Sequence, residues 1–405
     1  MTDSTPRPTR ARPFWRGATT PPRIVTLVIL AGTAVMAMNV MLPVLPMIGA
    51  DLGVSDNVAQ YVLTIFLTAT ALTQLFIGPL ADRYGRRLVL LTSIAIFFLA
   101  TILCTFAPTI ELLLLGRTLQ ASSAAAMVLS RAIIRDMYDR AKSASMIGYV
   151  TMAMAVMPMV APSIGGVVGE LYGWRAPFVV LLFLAAGVFL LAYFDVGETH
   201  TPNDNSLREQ MADYWSLLKE PLIWGYFGTA SLASGAYFAF IGGAPFVALN
   251  MIGISPSALG LYMALVAVGY MFGNFLTGRF TERLGIEPMM FYGGLIASAG
   301  VAIALGLMTF LEPHPAYLFV PMMAVGTGNG MTLPNASAGA ISVRPDLAGS
   351  ASGLGGFLQI GGGALLAIAS GNLISVENQA MPLYIIMFMS SILAALISYV
   401  MFKRM

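Results

Sequence analysis

The chain of 405 residues is 58% hydrophobic and only 10% charged, with a net charge of +2, against about 25% charged residues in soluble domains. So little charge cannot coat a water-facing surface, which excludes an ordinary soluble enzyme or a nucleic-acid-binding domain and turns most of the surface towards lipid. A lone cysteine, Cys104, excludes an intrachain disulfide. The two histidines, His200 and His314, belong to no cluster with metal-ligand spacing, so neither metal nor cofactor is expected.

Residues 1–23 hold Arg7, Arg10, Arg12, Arg16 and Arg23 among prolines and threonines and read as a disordered tail on the cytoplasmic side. The apolar run 24–45 is longer than the core of a signal peptide and reads as an uncleaved first membrane helix. A span needs about 20 apolar residues. Further runs at 58–80, 88–106, 110–131, 143–168, 174–194, 222–249, 257–280, 288–311, 316–341, 348–374 and 382–402 complete twelve spans. If the N-terminus is inside, every Lys and Arg except Arg117 and Arg175 falls on the cytoplasmic side. That is the asymmetry of the positive-inside rule, and the reverse orientation violates it. Both termini are therefore expected in the cytoplasm.

Residues 195–221 form the long polar stretch after the tail and read as a linker between an N-terminal half, 24–194, and a C-terminal half, 222–405. Within it, Ser206 to Glu220 sets Leu207, Met211, Leu217 and Leu218 among charges and predicts an amphipathic helix lying on the membrane face. A plain solubilising connector is the alternative. The two halves share a frame: Gly78, Asp82, Arg83 and Gly85 align without gaps with Gly278, Glu282, Arg283 and Gly285. A frame that returns once, half a chain later, implies a duplicated unit, and duplicated units are common in secondary transporters. The fold class that follows is an all-α membrane protein of two pseudo-symmetric six-helix bundles.

The stretch from Gly78 to Arg87 resembles the signature loop between helices two and three of the major facilitator superfamily. Arg117-Thr118-Leu119-Gln120 resembles its fourth-helix motif, and Ala161-Pro162-Ser163-Ile164-Gly165-Gly166 the fifth-helix motif of drug–proton antiporters. Arg131 to Asp136, Gly173-Trp174-Arg175, Glu198-Thr199, Ala244 to Val247, Pro334-Asn335-Ala336 and Ala348 to Ser352 extend the resemblance to the Bcr/CflA group of bacterial efflux carriers. The resemblance implies a monomeric carrier of the bacterial inner membrane that exports drugs or metabolites by alternating access, coupled to protons. Its partners would be a small-molecule substrate and the lipid bilayer. It also implies a conformational latch built from Gly78, Asp82, Arg83, Gly85, Arg86 and Arg135, with Glu282 and Arg283 as the second copy. Pro158, Pro162, Gly165 and Gly166 form either a bending seam of the fifth span or ordinary small-residue packing.

Arg117 lies well inside a predicted span, where a cation is costly and turns to a cavity or a partner. Counted at ~1.5 Å per residue, it is roughly 10 Å below the outer end. Asn39 sits at similar depth in the first span, where the resemblance leads one to expect aspartate. Asn39 cannot titrate, so three readings of Arg117 stand open. It contacts an anionic or zwitterionic substrate, with transport independent of protons; or it assists coupling through a rim acid such as Asp51, Asp56, Glu111 or Glu170; or it is structural. Gln120, Tyr149, Met152, Tyr237, Phe240, Asn329, Asn335 and Gln359 complete the expected substrate and coupling residues. A receptor that has lost transport is a remote alternative. No catalytic constellation is visible, so no enzyme is expected.

Overall fold

In the computed structural model the described residues are 22–138, 140–200, 207–311, 314–344, 347–373 and 380–404. All regular structure among them is helical. The expected tail lies outside them except for its last two residues. Ten stretches among the described residues are long and apolar enough to cross a membrane.

The first group of helices is α1 (Ile24–Asn39), α2 (Leu45–Leu52), α3 (Asp56–Tyr84), α4 (Arg86–Thr105), α5 (Ile110–Gln120), α6 (Ala124–Met137), α7 (Arg140–Tyr172) and α8 (Ala176–Asp195). Two stretches expected as single helices are interrupted. Between α1 and α2 the chain makes a 3-10 turn at Leu42–Val44, where Pro43 and Pro46 cannot donate to the helical ladder. Between α5 and α6 a 3-10 turn at Ala121–Ser123 tightens the helix. The stretch then continues to Met137, beyond the expected end at 131, because the charged residues that close the apolar run still propagate helix.

After α9 (Leu207–Leu218) come α10 (Pro221–Phe246), α11 (Pro256–Leu284), α12 (Ile286–Phe310), α13 (Pro315–Val343), α14 (Ala348–Leu373) and α15 (Met381–Arg404). α10 runs into a π-helical turn at Val247–Ile252. Helices α1 to α8 pack on one another, and α10 to α15 do the same; the broadest joins between the groups are α7 on α11 and α3 on α14. Many large apolar side chains, Leu99, Phe183, Phe194, Leu261 and Phe275 among them, remain exposed on the outside. That distribution suits lipid.

The duplicated frame appears in the backbone. Gly85 (φ 93°) separates α3 from α4, and Gly285 (φ 94°) separates α11 from α12. Both occupy a region that side chains with a Cβ disfavour. Gly85 and Asp82 mark one end of the molecule; Asp51, in the last turn of α2, and Gly53, just after it, mark the opposite end.

Candidate substrate pathway and latch

Arg117 ends the α5 turn and is wholly buried. Its Nε donates to the Val62 carbonyl at 2.9 Å, and one Nη donates to the Ala37 carbonyl at 3.2 Å and to Gln120 Oε1 at 2.8 Å. The guanidinium lies 4.1 Å from the centroid of the Phe66 ring. Gln120 in turn donates to Thr101 Oγ at 2.8 Å. One cation thus ties α1, α3 and α4 to α5 through oxygens that a membrane interior leaves few other ways to satisfy.

Asn39 is buried at the end of α1 and is not bonded to Arg117; its amide donates to Val35 O at 2.8 Å. Its carbonyl accepts from the Tyr237 hydroxyl of α10 at 3.4 Å, which joins the two helix groups at mid-depth. Phe240 turns instead into the second group, edge-on to Phe319 at 5.9 Å between ring centroids. Asn329 is buried on α13 between glycines that let α11 and α12 approach. Asn335 clamps α13 to α11: its amide donates to Met331 O at 2.7 Å and Thr277 Oγ at 3.3 Å, and its carbonyl accepts from Thr281 Oγ at 3.1 Å. Gln359 is half-buried, and its backbone carbonyl accepts from Ser234. Tyr149 and Met152 lie on α7, with side chains outside the described residues. The expected set is thus dispersed over several sites, with Asn39 and Tyr237 brought together, and Arg117 with Gln120.

At the Asp82 end a cavity of about 330 Å³ opens between the groups. One wall carries Gln74, Asp82, Arg86, Arg131 and Arg135; the other carries Asp213 and Tyr214 of α9 with Ser350 and Gly353 of α14. Asp82 pairs with Arg86 at 2.7 Å, and Arg86 Nε reaches Asp136 at 3.2 Å. Gly78 lines the cavity, and Arg83 is exposed, over the Tyr84 ring. Glu282 and Arg283 of the second copy are exposed and make no ion pair among the described residues.

Sequence reasoning assigned no role to Glu198. Its carboxylate accepts the backbone N–H groups of Arg86 (2.8 Å) and Arg87 (3.1 Å) at the start of α4. It also accepts from its own neighbours Thr199 and His200. An anion there satisfies orphan donors and complements the helix dipole. Arg87 completes the hold by donating to the carbonyls of Val196 and Tyr193. The signal in the sequence was an acid just past a span with no cation beside it, and distance along the chain concealed its partner.

The Asp51 end is shut. Gly166 of α7 lies against the Pro256 carbonyl, and Gly260 of α11 against the Pro162 carbonyl, so closely that a Cβ at either would collide with backbone. Gly165 meets Val40 in the same way, and Pro158 lies about two turns earlier in α7. Ser163 donates to Gly260 O at 3.1 Å. Asn250 donates to Asp56 at 2.8 Å, and the Ser257 N–H to Glu170 at 3.1 Å. Asp51 stays within the first group, accepting from Trp174 and Arg175 at 2.8 Å each, and Glu111 is exposed.

A lipid-faced helical protein whose two helix groups enclose a cavity, with one end shut by backbone-close packing, has the construction of a membrane carrier. The sequence profile of the Major Facilitator Superfamily matches residues 27–367, and the chain belongs to that family. It is a multi-pass membrane transporter and not an enzyme. An uncharacterized MFS-type transporter of Bacillus subtilis, YdgK, is 31% identical over 362 residues, 88% of this chain and 89% of the relative. A bicyclomycin resistance protein homolog of Haemophilus influenzae is 28% identical over 85% of this chain and 87% of its own length. Multidrug resistance protein D of Escherichia coli is 28% identical over 86% and 88%. Among solved structures, a bacterial homolog of the human lysosomal transporter Spinster superposes with a TM-score of 0.74 at 20% identity, covering 95% of this chain and 97% of that one. The peptide transporter POT superposes at 0.78 and 13% identity, over 94% of each. These two likenesses establish the fold alone.

Proposed function

We propose that this transporter exports small organic molecules, drug-like compounds or metabolites, from a bacterial cytoplasm by proton-coupled alternating access. In this reading twelve spans form two pseudo-symmetric six-helix bundles, 24–194 and 222–405, joined by the 195–221 linker. The protein works as a monomer in the inner membrane with both termini cytoplasmic, so that the Asp82 end faces inward. The observation that carries the reading is the contrast between the ends: a shut seam at Asp51 and a cavity at Asp82. The substrate class follows the relatives named for bicyclomycin and multidrug resistance.

Arg117 serves in this scheme as a brace, because its Nε and one Nη face carbonyls and Gln120, while the other Nη is buried without a partner. Asn39 neither takes up nor releases a proton. Coupling falls instead to Asp56 and Glu170, the rim acids whose carboxylates join the two groups. Protonating either one removes the charge that strengthens its hydrogen bond across the closed seam and biases the equilibrium towards opening on that side. Around them stand Asp51 with Arg175, and Asn250. The latch at Asp82, Arg86 and Asp136 holds the inner ends through the opposite half of the cycle.

The test is counterflow of radiolabelled bicyclomycin in proteoliposomes containing a pH-sensitive dye. Substrate exchange accompanied by proton movement is expected, with the proton movement lost in Asp56→Asn combined with Glu170→Gln. Exchange without proton movement would overturn the coupling, and binding without exchange would overturn transport.

A further inference from the structure

Arg131 has no assigned role, and its surroundings are unusual. It lies on α6, two turns before the helix ends, in the wall of the cavity at the Asp82 end. Its Nε is buried and has no hydrogen-bond partner. One Nη reaches the thioether sulfur of Met154 at 3.6 Å, a weak acceptor, and the Tyr270 hydroxyl of α11 lies close enough to interact electrostatically. Arg135, one turn on, lines the same wall and makes no ion pair among the described residues.

The carboxylates nearby are held elsewhere. Asp82 pairs with Arg86, and Asp213 accepts from Ser350 Oγ at 3.4 Å. A guanidinium sheltered from water normally finds a carboxylate or carbonyls for most of its donors, as Arg117 does for Nε and one Nη, since leaving donors unmade is costly. Arg131 has instead a cavity of about 330 Å³, with apolar Met127 and Val128 alongside. That volume suits a small amphiphile.

We propose that this cavity binds the acidic group of an anionic amphiphile, with Arg131 as the fork that receives a carboxylate or phosphate oxygen pair and Arg135 as an electrostatic guide at the mouth. The proposal rests on the export reading and names a substrate class for it. The planar fork matches such groups in a way a lysine ammonium does not. The apolar part of the ligand lies against Met127, Val128 and the glycine-bearing face of α14.

The experiment is calorimetric titration of the full-length protein in phosphatidylcholine nanodiscs with 4-biphenylacetate and its neutral isostere 4-biphenylacetamide. The wild type is expected to prefer the carboxylate by about 10- to 100-fold, the range of a charge-assisted hydrogen-bonded contact. Arg131→Gln abolishes the preference while amide binding persists, which also reports that the cavity is intact. Arg131→Lys retains part of the preference, and Arg135→Gln weakens it only at low salt. No preference in the wild type, or a preference untouched in Arg131→Gln, overturns the proposal. If Arg131→Gln binds neither probe, Arg131→Lys decides: a retained preference supports the site and a lost one overturns it. Bicyclomycin counterflow with the same protein reconstituted into proteoliposomes separates the two ideas. Intact exchange without anion preference removes this site only, whereas absent exchange removes the transport reading.

Discussion

At the scale of single residues two arginines, Arg117 of α5 and Arg131 of α6, differ in what surrounds them. Arg117 reaches two carbonyls and an amide oxygen through Nε and one Nη and lies on a phenyl ring, which offsets part of its cationic cost within the first helix group, the other Nη being left without a partner. Lysine at that position keeps the charge but cannot bond in two directions from one plane. Arg117→Lys is therefore expected to destabilise the protein by about 1–3 kcal/mol, the cost of leaving buried acceptors unmade. Thermal unfolding in detergent measures the loss, and ligand affinities in the cavity stay unchanged. The depth of Arg117 was legible in the sequence because one charge stood inside an apolar run. Where its fork points was not, since spacing along one helix carries no information about which neighbouring carbonyls come within reach. Arg131 was hidden for another reason: Arg131, Arg135 and Asp136 ended the apolar run, although the helix itself continues to Met137.

At the scale of helices, contacts between the groups depend on missing side chains. Along α3, Gln60 meets Gly371 of α14 and Gln74 meets Gly356, so one face of α3 lies on one glycine face of α14 over most of its length. Small residues permit that approach. The α7–α11 seam is the sharper case, because Gly166 and Gly260 abut backbone carbonyls, which cannot rotate away. Gly166→Leu is expected to hold the Asp51 end apart. It would raise labelling of a cysteine placed at Ser257 by a membrane-impermeant maleimide and abolish bicyclomycin exchange. The helix α9, legible as amphipathic, does more than lie on a surface. Leu217 is fully buried, and Tyr214 donates across to the Leu75 carbonyl at 3.3 Å. Burial first, then the nearby Asp213 and Asp82, push the Tyr214 hydroxyl above its ordinary pKa, so it remains a donor at every physiological pH. The amphipathic pattern gave the helix but could not give its dock, which is assembled from α3 and α14 far away in sequence.

At the scale of the whole molecule, the duplicated frame was legible as a repeat, and the paired positive-φ glycines reproduce it in the backbone. The repeat conceals a structural inequality. In the first copy Asp82 pairs with Arg86, Arg86 with Asp136, and Glu198 caps α4; the second copy shows Glu282 and Arg283 exposed without ion pairs among the described residues. Asp82→Asn is expected to shift cysteine accessibility towards the inward-open side, whereas Glu282→Gln leaves it unchanged. Equal effects from both would show that the two copies work alike.

Alternating access also requires that the shut end open in every cycle. Asp56 and Asn250 are the side chains that meet across it, 2.8 Å apart. Replacing them together, Asp56→Cys with Asn250→Cys, and bridging the pair with a short bifunctional methanethiosulfonate fixes that end in its present closure. Native Cys104 is fully buried and does not compete for the reagent. Exchange of bicyclomycin is expected to stop on bridging and return on reduction, while binding of 4-biphenylacetate from the Asp82 side persists. A cross-linked protein that still exchanges substrate would mean that the passage does not run through this seam.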